Sequence, residues 1–145
     1  MEQLFTYQQL LRFSTDIFIR IGCSESDAAA AAKALLSADI RGVDSHGVAR
    51  LSGYVRLWEV QRINANPVIK IIHETPSTAV VDGDAGLGLL VAPRAMEIAI
   101  QKASQVGSGW VSVQNSNHFG IAGYHAMMAL PHDMIGIAMT NASAL

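Results

Sequence analysis

The apolar residues of this chain change period at Asn64-Ala65-Asn66-Pro67, and that change fixes the order in which helices and strands can follow one another. Before it the spacing is helical. Thr6-Tyr7-Gln8-Gln9 forms a capping box, after which Leu10, Leu11, Ile17 and Ile21 recur at helical intervals until Gly22 ends the helix. Ser24 caps a second helix that runs toward Arg41 through seven alanines between Ala28 and Ala38, with Asp27 in its favourable first turn. Side chains that small let another helix approach closely. Val48, Leu51, Val55 and Trp58 define a third helix, which makes Asp44-Ser45-His46-Gly47 a tight turn between helices.

Beyond Pro67 the pattern is that of strands and a crossover. Val68 to Ile72 and Thr78 to Asp82 are rich in β-branched residues and flank a turn with Pro76. Gly83 to Gly88 leads into a helix from Leu89 to Gln105, and Gly107-Ser108-Gly109 exits to a strand from Trp110 to Gln114. A polar loop, Asn115 to Gly120, enters a helix through Met128 that ends near Pro131, and Met134 to Thr140 reads as another strand. The expected fold is α/β: a helical region over residues 1–66, then strand-helix-strand units of a mixed sheet over 67–145. The sequence stops at Ala142-Ser143-Ala144-Leu145 directly after a strand, so the expectation is a truncated sheet domain, the first part of a longer chain.

Charge narrows the partners. With a net charge of −2 and no cluster of Lys or Arg, the chain lacks the electrostatic footprint for nucleic acid or an anionic membrane. The single Cys23 cannot form an intrachain disulfide, which fits a reducing, cytoplasmic setting. Half the residues are apolar, enough to leave surface for a partner subunit.

Two polar segments carry the chemistry, Asp44-Ser45-His46-Gly47 and Asn115-Ser116-Asn117-His118-Phe119-Gly120. A histidine exchanges protons with a carbonyl oxygen near neutral pH, and flanking Gly and Asn let a loop approach a ligand. The plainer alternative makes His46 a helix cap and His118 a turn residue. Arg50 and Tyr54 follow His46 by four and eight residues and share its side of a helix, giving a guanidinium for a carboxylate and a phenol for a further hydrogen bond. Otherwise they form a solvent-facing stripe with Arg50 paired to a carboxylate. His118, His125 and His132 repeat every seven residues, but two helical turns separate such positions by about 10 Å, too far for one metal ion. No metal site is expected; His125 reads as a helix-surface or partly buried residue and His132 as a turn residue. Gly83-Asp84-Ala85-Gly86-Leu87-Gly88 is spaced GxxGxG, not GxGxxG, and reads as a structural turn.

In the stretch Ala38 to Leu51, in Ser116-Asn117-His118-Phe119-Gly120 and in Asp133 to Asn141, the chain resembles the malate/L-lactate dehydrogenase family of NAD(P)-dependent oxidoreductases, which is distinct from the Rossmann-fold lactate and malate dehydrogenases. The resemblance implies a non-Rossmann α/β fold like that of L-sulfolactate dehydrogenase, hydride transfer between NAD or NADP and a small 2-keto or 2-hydroxy acid, and a homodimer. It implies that His118 or His46 is the acid/base residue, with His118 favoured. Ser45, His46, Arg50 and Tyr54 become pocket residues, and Asn141 and Ala142 the start of the dinucleotide contact. The competing expectation is a non-catalytic helix-sheet module for subunit association, supported by the alanine-rich helix.

Overall fold

The computed structural model describes residues 4–141. Helix α1 spans Tyr7–Arg20 and opens on the expected capping box: the Thr6 hydroxyl accepts the Gln9 N–H at 3.3 Å, and Oε1 of Gln9 accepts the Thr6 N–H at 2.8 Å. Helix α2 spans Glu25–Asp39, with the Ser24 hydroxyl accepting the Asp27 N–H at 3.1 Å. It stops short of Arg41 because the chain folds back there, and the N–H groups of Arg41 and Val43 both turn to the Ala38 carbonyl. The alanines do what their size allows. Ala28, Ala31 and Ala32 are fully buried, and α2 touches α1 and the two later helices at Gly88–Val106 and Ala122–Met127.

Helix α3, Leu51–Glu59, leads through the Asn64 to Pro67 segment to a three-stranded sheet of β1 Lys70–Glu74, β2 Thr78–Gly86 and β3 Trp110–Ser116. The order is β1-β2-β3, with β1 antiparallel and β3 parallel to β2; helix α4, Gly88–Val106, makes the crossover. Strand β1 begins later than Val68 because the Val68 N–H goes to the Asp84 carboxylate at 2.9 Å and not to a neighbouring strand. Strand β2 extends past Asp82 to Gly86. The segment expected to be a plain turn is thus its irregular end, where Asp84 and Ala85 take φ of 50° and 54° and the register with β3 shifts.

The larger core cluster unites both halves of the sequence: Phe18, Leu35, Leu51 and Tyr54 pack with Leu87 and Leu89. Each fully buried large apolar side chain contributes roughly 1.5–3 kcal/mol. The second cluster is only Ala79, Val81 and Ile98, so the junction between β2 and α4 supplies the main anchor of the sheet on the helices.

Helix α5, Ala122–Met127, precedes a 3-10 turn at Leu130–His132 that contains Pro131. The expected strand from Met134 to Thr140 is not formed. Its alternation is real: Met134, Gly136 and Ala138 are half-buried, whereas Ile135, Ile137 and Met139 are 94%, 55% and 75% exposed. A strand also needs a ladder partner, and none of the described residues pairs with this segment. No helix among the described residues is long and apolar enough to cross a membrane.

Candidate active site

The turn between α2 and α3 is more elaborate than its sequence suggests. Asp44–His46 and Val48–Arg50 form two consecutive 3-10 turns joined at Gly47, and the helical run expected from Val48 becomes α-helical only at Leu51. The joint is closed from a distance: Oδ2 of Asp39 accepts the Val48 N–H at 2.9 Å. Within the turns the Ser45 hydroxyl lies 2.9 Å from Nδ1 of His46, and Nε of Arg50 donates to the Ser45 carbonyl at 2.8 Å. Arg50 is exposed and has no ion-pair partner among the described residues, so the paired surface stripe does not describe it. Tyr54, one turn into α3, is buried against Phe18.

The second histidine arrives from the sheet. Strand β3 ends at Ser116, and the Asn117 amide then donates to the carbonyls of Ala85 at 2.8 Å and Gly86 at 3.1 Å, tying the loop to the irregular end of β2. The loop rests directly on the first residue of α4, where a methyl built on Gly88 would fall on the carbonyls of Asn117 and His118. Behind the loop sits His125, only 1% exposed and not at the helix surface. Its ring stacks on Phe119 with centroids 4.8 Å apart, and its Nε2 donates to the Phe119 carbonyl at 2.8 Å. Its Nδ1 is buried without a partner among the described residues, and burial, which disfavours the charged ring, lowers its pKa against the opposing pull of the Phe119 carbonyl.

These two arms meet. The imidazoles of His46 and His118 stack with centroids 5.5 Å apart and planes 29° from parallel, and the Tyr54 hydroxyl lies 2.7 Å from Nδ1 of His118. The Gly120 N–H also points at that nitrogen, at 3.3 Å. Both rings are therefore held through Nδ1, and neither Nε2 has a partner among the described residues. Burial of the packed side lowers the His118 pKa, and the positive charges of Arg50 and His46 add to the effect. Burial raises that of Tyr54, which keeps the phenol protonated as a hydrogen-bonding group. Chemically the arrangement offers a proton-exchanging edge beside an unpaired guanidinium, suited to a small anion carrying an oxygen on the adjacent carbon.

His118, His46, Ser45, Arg50 and Tyr54 are thus brought together, whereas Asn141 lies exposed at the far end of the described chain and Ala142 lies outside the described residues. The described residues do not themselves form a dinucleotide cradle: the first turn of α4, after the glycine-rich segment, is packed against loop carbonyls, and Asn141 stands alone. Sequence reasoning passed over Asp39, Gly88, Asn117 and His125 as supports of the site. Asn117 and Gly88 sat inside segments already noted for their polar or glycine-rich character; Asp39 and His125 carried no local signal.

The comparisons agree with this architecture. The sequence model for malate/L-lactate dehydrogenase matches residues 5–145. The chain is 48% identical over 126 residues to the L-sulfolactate dehydrogenase of Methanocaldococcus jannaschii, covering 87% of this chain and 37% of that protein. It is 49% identical over 137 residues to the malate dehydrogenase of Pyrococcus abyssi, covering 94% of this chain and 38% of that protein. The solved sulfolactate dehydrogenase of Methanocaldococcus jannaschii superposes with a TM-score of 0.89 at 42% identity, covering 91% of this chain and 38% of that one. The solved malate dehydrogenase of Pyrococcus horikoshii gives 0.84 at 45% identity, covering 87% and 36%. The chain therefore spans less than two fifths of the length of these relatives. With a matched family model over nearly its whole length and the same non-Rossmann fold, the chain belongs to the malate/L-lactate dehydrogenase family.

Proposed function

We propose that this chain supplies the substrate-side arms of an oxidoreductase that interconverts small 2-keto and 2-hydroxy acids with NAD or NADP. The observation that carries the reading is the convergence of His46, His118, Tyr54 and the unpaired Arg50 from two distant segments. Arg50 grips the substrate carboxylate, and Ser45 holds His46 at the pocket wall. His118 exchanges the proton of the substrate oxygen through Nε2. Tyr54 fixes the ring. For Nε2 to exchange the substrate proton Nδ1 must keep its own, which it then donates to the Tyr54 hydroxyl 2.7 Å away in place of accepting the longer 3.3 Å Gly120 N–H.

A bound dinucleotide would supply the hydride chemistry; in this reading Asn141 and Ala142 would begin its contact and sequence outside these residues would complete it. The same reading makes the whole protein a cytoplasmic homodimer. The redox part of the reading is supported by the family membership, together with relatives named as sulfolactate, malate and hydroxycarboxylate dehydrogenases.

The test follows nicotinamide absorbance while the full-length protein is mixed with NADH or NADPH and a panel of 2-keto acids. Turnover of at least one acid, abolished in His118→Gln, is the expected result. Wild-type protein inert toward the whole panel, or a His118→Gln variant with undiminished turnover, overturns the corresponding part of the reading.

A further inference from the structure

The geometry points to Asp39 as a positioning residue: its carboxylate holds the joint between the two 3-10 turns and thereby sets Ser45, His46 and Arg50 relative to His118. The inference rests on the site reading above but concerns a residue outside the pocket.

Asp39 is the last residue of α2, where helix carbonyls disfavour an anion. It has no cation partner among the described residues. Burial raises its pKa, backbone N–H groups of Val48 and of Asp39 itself work against that rise, and the neighbouring Asp44 charge adds a smaller push upward. What it gains is one directed contact. Gly47 ends the first 3-10 turn and begins the second, and neither Val43 nor Gly47 provides a side-chain cap. The Val48 N–H at the start of the second turn is satisfied instead by Oδ2 of Asp39, nine residues upstream, at 2.9 Å. The contact is close on the other side too, since a methyl on Gly47 would fall inside the same carboxylate. The joint is thus clamped between the end of α2 and its own backbone. His46 is attached one residue before Gly47, and Arg50 donates back across the joint to the Ser45 carbonyl, so movement at Gly47 displaces all three site groups together.

The test uses the full-length protein with Asp39→Ala, which removes the acceptor, and Asp39→Asn, which keeps an acceptor oxygen and removes the charge. Asp39→Ala is expected to lower kcat/KM for the 2-keto acid about tenfold or more, while the dinucleotide KM stays within about twofold; Asp39→Asn recovers most of the loss. The imidazole NMR signals of His46 should shift and broaden in the alanine variant and hold their wild-type positions in the asparagine variant. If Asp39→Ala does not fold, Gly47→Ala displaces the same carboxylate with the acid intact and should give the same loss. Unchanged kinetics and unchanged His46 signals in the alanine variant, or an asparagine variant as impaired as alanine, overturn the proposal. A wild-type protein without turnover sinks the oxidoreductase reading alone, since the ring signals still decide the role of Asp39.

Discussion

The Tyr54 hydroxyl and Nδ1 of His118 lie 2.7 Å apart although 64 positions separate them in the sequence. The bond joins the helix that follows the first histidine turn to the loop that carries the second.

Replacing Tyr54 by Phe keeps the ring against Phe18 and deletes only the hydroxyl. A neutral hydrogen bond contributes about 1 kcal/mol, which corresponds to a fall in kcat of about fivefold to tenfold, with a smaller change in KM for the acid. Steady-state kinetics of the full-length variant measures this. A loss confined to KM would move Tyr54 from orienting the ring to binding substrate.

The lowered pKa of His118 has a direction in catalysis. In the proposed reaction, oxidation of a hydroxy acid needs the neutral ring, so its rate should fall with acidity only below the ordinary histidine value of about 6.5. Arg50 is one cause of the lowering, so Arg50→Gln should move that limb toward higher pH as well as weaken substrate binding. A pH profile of kcat/KM for wild type and variant reads both effects, and a limb that stays in place separates Arg50 from His118.

Gly88 and Gly53 form a contrasting pair. A methyl at position 88 meets the carbonyls beneath the His118 loop, and backbone atoms yield little, so Gly88→Ala should cost about 1–3 kcal/mol and reduce turnover by displacing the ring. Gly53 lies inside α3 with open space around it, so Gly53→Ala should stabilise by roughly 0.5–1 kcal/mol. Thermal melts of both variants, with activity for Gly88→Ala, check the comparison.

Acid should destabilise the fold through His125 and His118. Both rings have a folded pKa below the unfolded value, so their contribution is complete above about pH 6.5 and is lost as the pH falls through the lower folded values. A series of melting temperatures across that range should show the decline, and His125→Phe should flatten it. An unaltered slope in that variant would assign the acid sensitivity to other groups.

The helices and the two histidine turns were legible because their signals are local. Thr6 with Gln9 and Ser24 with Asp27 cap their helices through neighbours three residues away, and both histidine turns announce themselves by Gly, Asn and Ser around an imidazole. What was hidden depends on partners distant in sequence. Val68 leaves the sheet because Asp84 claims its N–H, and the register of β2 shifts where Asp84 and Ala85 adopt positive φ. Met134 to Thr140 has the alternation of a strand without a neighbour to make it one. The reach of Asp39 to Val48 and of Asn117 to Ala85 belongs to the same class: neither spacing nor residue type reveals which backbone group a side chain will find.

The row of Ile135, Ile137 and Met139 has a practical corollary for anyone handling these 145 residues by themselves. A row of apolar side chains turned to water, with no strand paired beside it, is a template for adhesion between molecules. Ile137→Lys would interrupt that edge from the outside, leaving the half-buried Gly136 and Ala138 untouched.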